Sequence, residues 1–80
     1  MFVYALQSKK DGNLYIGISA SPEKRLMEHN AGMTRSTKSR RPFVLIYKES
    51  CVSQKAARER EKLLKSGSGR EFLKRNLTRR

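Results

Sequence analysis

The chain has 80 residues, which leaves room for one domain and a small core, because a chain this short buries only about 60% of its unfolded surface. Nineteen Lys and Arg against seven acids give a net charge of +12, which repels itself in a compact domain and points to a polyanionic partner. Nucleic acid is the leading partner, ahead of an anionic membrane surface or a purely RNA-coating role.

Apolar residues make up 36% of the chain and come in clusters, which excludes a disordered tail. The lone Cys51 excludes an intrachain disulfide and fits a reducing compartment. No apolar run approaches the roughly 20 residues of a membrane span. No charged leader with an apolar stretch and a cleavage site opens the sequence, so a cytoplasmic protein is expected.

In chain order, residues 2–7 (Phe-Val-Tyr-Ala-Leu-Gln) read as a strand that is apolar on both faces and hence central. Asp11-Gly12 is a turn signal, and residues 13–18 return as a second strand. One register sets Tyr4 opposite Tyr15 on a common face; a slip of one residue separates them. Along the second strand Leu14, Ile16 and Ile18 share the core face, while Tyr15 and Gly17 share the other. Gly17 marks either a bulge or tight packing, or the close approach of another group.

Ser21, Pro22 and Glu23 start a helix that ends near Ala31 and Gly32. Arg25 and His29 are four apart and share a face, Leu26 and Met27 anchor it, and Lys24 and Glu28 form a solvated pair. Residues 32–41 form a basic loop with hydroxyls between its cations, suited to phosphates through Arg35, Lys38, Arg40 and Arg41, or simply solvated. Pro42 leads into an apolar strand, residues 43–47, closed by Glu49 and Ser50.

Ser53 caps a helix from Gln54 to Lys65. Ala57, Glu61 and Leu64 fall on one side of it, so Glu61 sits at the edge of the buried face, paired with an arginine or binding a metal. Ser66-Gly67 interrupts, Ser68 and Glu71 match a capping box, and Phe72, Leu73 and Leu77 give a last helix its inner face. The tail Thr78-Arg79-Arg80 is expected to fray.

One Cys and one His cannot close a zinc site, and the only Asp, Asp11, lies in a turn where it cannot complete a Ser-His-Asp triad. Two tyrosines, an arginine, a histidine and an inward glutamate remain. Phosphodiester hydrolysis asks for a deprotonated water, positive charge on the phosphate and a neutralised leaving oxygen. A carboxylate holds a hard divalent cation, an arginine clamps phosphate oxygens, and tyrosine or histidine relays protons.

In this order the residues resemble the GIY-YIG nuclease superfamily, in its small single-domain form. Phe2-Val3-Tyr4 stands at the first motif, with Phe2 where the family has glycine, and Tyr15-Ile16-Gly17 is the second motif intact. Arg25, then His29 and Asn30, then Thr37-Lys38 and Arg41-Pro42, and finally Glu61 follow at matching places. The resemblance implies an α+β domain over residues 1–80, a three-stranded antiparallel sheet flanked by helices in the order β-β-α-β-α-α. It implies the register with both tyrosines on one face. It also implies a DNA endonuclease, with RNA as the other nucleic acid such charge serves, and no obligate protein partner. One Mg or Mn ion would sit on Glu61 and Arg25 on the scissile phosphate. Tyr4 would be the general base, Tyr15 its neighbour, and His29 an aid in proton transfer or phosphate contact. Asn76 corresponds to a late polar residue of some members.

Overall fold

A computed structural model describes the backbone of residues 1–78 and the side chains of residues 1–75. The expectations for the Asn76 and Leu77 side chains and for Arg79 and Arg80 lie outside the described residues, while Thr78 is the last residue of a helix. The elements are β1 (Phe2–Ser8), β2 (Leu14–Ser19), α1 (Pro22–Asn30), β3 (Phe43–Ser50), α2 (Gln54–Lys65) and α3 (Gly67–Thr78), with a short 3-10 turn at Lys38–Arg40 before β3. The sheet is antiparallel in the order β2-β1-β3, so β1 is central, as its two-sided apolar sequence requires.

The β1–β2 turn closes on Asp11-Gly12. Gly12 adopts φ 76°, and the Asp11 carboxylate accepts from Asn13 N–H at 2.9 Å. Tyr4 lies across from Gly17 and Tyr15 across from Leu6. The tyrosines therefore share a face diagonally rather than directly opposite each other.

Two apolar cores lie on the two sides of the sheet. Val3, Ala5, Ile16 and Ile46 pack with Leu64 of α2 and Leu73 of α3. Tyr4, Leu6 and Phe43 form the second core, with Tyr15, Leu45 and Leu26 of α1 against it. The β1–β3 register slips between Ala5 and Leu6, so that Leu45 faces Leu6 while Tyr47 faces Ala5. Ile46 is the inserted residue. The bulge reverses the alternation of β3: Phe43 and Leu45 serve the α1 side, and Ile46 and Tyr47 both serve the α2–α3 side.

Three local expectations are corrected. Met27 is 72% exposed and does not anchor α1; Pro22 and His29 are the residues of α1 that are fully buried. Glu28 pairs with Arg25 at 2.6 Å, not with Lys24, because three residues along a helix also bring side chains together. The start of α3 is capped by Ser66 rather than Ser68: Ser66 Oγ accepts from Gly69 N–H at 3.3 Å, and Ser66 O accepts from Arg70 N–H at 3.0 Å. In this helix Leu73 is turned inward, fully buried, and Phe72 stays at the edge, 40% exposed. There Phe72 meets Tyr47 edge-on.

Candidate active site

Tyr4 is the hub. Its side chain is 1% exposed, and its hydroxyl occupies the space over Gly17, where an added Cβ would come within 2.7 Å of it. Gly17 is therefore required for space; its backbone is ordinary strand. The close approach left open by the sequence is made by the phenol of the neighbouring strand.

The Arg25 guanidinium reaches this hydroxyl from α1, and the Tyr15 ring lies 6.5 Å from the Tyr4 ring. Burial pushes the Tyr4 phenol above its ordinary pKa, and the neighbouring Arg25 pulls it back. Tyr15 and the carboxylate of Glu61 add smaller upward pushes. Contact with the phenol in turn raises the Arg25 pKa, and the guanidinium also ion-pairs with Glu28. The Arg25 side chain stays 39% exposed, open to an anion from solvent.

Glu61 comes from α2. Its side chain is 22% exposed and pairs with Lys65, one helical turn on, at 3.2 Å. The partner is thus a lysine rather than the arginine weighed from sequence, and it is itself 56% exposed and easily displaced. Among the described residues no three acidic, His or Cys side chains gather. A site with one protein carboxylate fits Mg or Mn, which keep several waters and take other oxygens from phosphate.

His29 is fully buried between aromatic rings, 4.7 Å from Tyr15 and 6.0 Å from Phe43. Its Nδ1 lies 2.8 Å from Thr37 Oγ1, and its Nε2 is buried with no partner. Burial lowers its pKa, and the charge on Arg25 lowers it further. A fully buried ring has no surface on which to meet a phosphate.

The four loop cations part company. Lys38 and Arg41 line an open groove with Lys10, Asn30, Ser39 and Pro42, and no acid lines it. Arg41 is held by the carbonyl of Lys38 at 2.8 Å, and Lys10 by that of Ser39 at 3.0 Å. Arg40 is diverted: it pairs with Asp11 at 3.3 Å and lies over the Phe43 ring. Arg35 is exposed on the loop. Sequence reasoning passed over Lys10, although its place beside the Asp-Gly turn was a signal. It placed Thr37 only among the loop hydroxyls and the family's matching positions, since nothing local links it to a histidine eight residues back.

The GIY-YIG catalytic domain model matches residues 1–76. A UPF0213 protein of Desulfotalea psychrophila is 42% identical over 66 residues, 80% of this chain and 59% of its own, so the chain spans about three-fifths of that relative. A UPF0213 protein of Staphylococcus haemolyticus is 40% identical over 74 residues, 91% of this chain and 89% of its own. One of Syntrophus aciditrophicus is also 40% identical over 74 residues, 90% of this chain and 84% of its own. No solved structure matches. The strand and helix order, the tyrosine pair over Gly17 and a family match across nearly the whole sequence agree: the chain belongs to the GIY-YIG family, a family of nucleases.

Proposed function

We propose that the 80 residues act as one domain, a divalent-metal-dependent endonuclease that hydrolyses phosphodiester bonds in DNA with low sequence specificity or by structure. The observation that carries this reading is the buried Tyr4 phenol with the Arg25 guanidinium against it, the Tyr15 ring 6.5 Å away and Glu61 acting on it through charge alone. They come from β1, β2, α1 and α2, and a core tyrosine needs only one hydrogen-bond partner.

Arg25 stabilises charge on the scissile phosphate. Tyr4 takes the proton of the attacking water as a phenolate, a form that burial disfavours and the adjacent guanidinium favours. Tyr15 shapes the space beside it. Glu61, freed from Lys65, would hold Mg or Mn, which when bound supplies positive charge at the leaving oxygen. His29 serves from beneath the tyrosines. Lys10, Lys38 and Arg41 hold the flanking backbone, with Arg35 on the same loop. Contacts of this kind position the strand without reading bases, which supports low specificity. Among the described residues no helix is long and apolar enough to cross a membrane.

The test is nicking of supercoiled plasmid and branched DNA with Mg or Mn. Glu61→Ala and Arg25→Ala should each lose at least about 100-fold in rate while keeping the fold. Equal cleavage by wild type and both variants would remove the assigned site. No cleavage by wild type, with salt-sensitive DNA binding intact, would leave a nucleic-acid-binding module instead.

A further inference from the structure

Thr37 and His29 are both fully buried, and their contact joins the basic loop to the tyrosines. The Thr37 hydroxyl has one proton and two neighbours: His29 Nδ1 at 2.8 Å and the Thr34 carbonyl oxygen at 3.3 Å. A carbonyl only accepts, so a hydroxyl proton directed at Thr34 O leaves Nδ1 as the donor to the hydroxyl oxygen. The opposite tautomer would place a proton on Nε2, which is buried with no partner. A buried N–H without an acceptor is rarer than an under-used acceptor.

We infer that Thr37 is a positioning residue: it holds His29 as the neutral Nδ1–H tautomer and leaves Nε2 unprotonated. Burial and the charge on Arg25 both oppose protonation of the ring. The Tyr15 ring, 4.7 Å from the imidazole, in turn faces Tyr4. An unprotonated Nε2 keeps an unpaired N–H out of the aromatic pocket that Tyr15 and Phe43 form around the ring, so the imidazole holds one orientation against Tyr15. The Thr37 carbonyl also accepts from Arg40 N–H at 3.0 Å, closing the turn that carries Lys38. The same residue therefore sets the loop and the tautomer. The catalytic consequence rests on the nuclease reading; the tautomer does not.

His29 is the only histidine, so long-range proton–nitrogen NMR of the labelled wild-type protein reads it without ambiguity. The expected pattern is a protonated Nδ1 and an unprotonated Nε2; the reverse overturns the inference, and no variant is needed to see it. Thr37→Val keeps the shape and removes the hydroxyl. It should mix the tautomers and slow nicking by roughly 10- to 100-fold, the range found when an outer partner orienting a metal-bound histidine is removed. DNA affinity should be unchanged, and Thr37→Ser should restore both readouts. An unaltered tautomer in folded Thr37→Val, or nicking at the wild-type rate, overturns the positioning role. Failure of wild type to nick any DNA defeats the nuclease reading and this catalytic consequence, while the spectrum still decides the tautomer.

Discussion

Gly17 shows how one absent side chain organises the cluster. Its sequence neighbours placed it beside Tyr15, but its partner is Tyr4, whose hydroxyl and ring carbon Cζ would lie 2.7 and 2.9 Å from an added Cβ. Neither distance is tolerable, and the obstacle is a ring held in a packed core. Gly17→Ala is therefore expected to push the Tyr4 phenol away from Arg25. Overpacking of this kind costs about 1–3 kcal/mol, readable as a lowered midpoint in urea. Nicking should fall further than stability explains, by up to about 100-fold, since small misplacements at a reacting centre are expensive. An alanine variant that nicks normally would mean that the Tyr4–Arg25 contact is dispensable. The residue types of this cluster were legible in the sequence. The burial of His29 was not, because it depends on Phe43 and Thr37 closing over the ring from the far side of the loop.

At the scale of elements, local chemistry decided most boundaries. Ser21 and Ser53 cap α1 and α2 where expected, their hydroxyls accepting from Lys24 and Ala56 N–H. The α2–α3 junction went differently. Two serines are available there, and it is Ser66 that accepts from Gly69 N–H, on a helix whose Leu73 packs in one core with Leu64. Ser66→Ala should cost about 1 kcal/mol and Ser68→Ala within about 0.5 kcal/mol. In a domain of this size the first corresponds to roughly 4–8 °C in melting temperature. Equal effects would move the cap back to Ser68. The β3 bulge likewise escaped sequence reading. An unbroken apolar run carries no mark of where alternation reverses, and only pairing with β1 placed Ile46 as the extra residue.

For the whole molecule, Asp11, Glu23, Glu28, Glu49 and Glu61 each pair with a Lys or Arg among the described residues. The surplus positive charge remains for a polyanion, and Lys10, Lys38 and Arg41 concentrate part of it in a groove without an acid. Each replaced singly by alanine should weaken DNA binding on every sequence and reduce the slope of log affinity against log salt by about 1. The same change at Arg40, already engaged by Asp11, should reduce it less. Titrations from low to moderate salt check this, and a slope unmoved by the groove variants would place the DNA elsewhere. The sequence by itself determined the element order and the sign of the charge, because turns, caps, periodicity and net charge are properties of near neighbours, and the α+β class and the family came with the motif resemblance. Only the tertiary structure decided the tyrosine register, the burial of His29, the Lys65 partner of Glu61 and the split among the loop cations. Those depend on which residues distant in the chain compete for the same space and the same opposite charge, and no local pattern encodes the outcome.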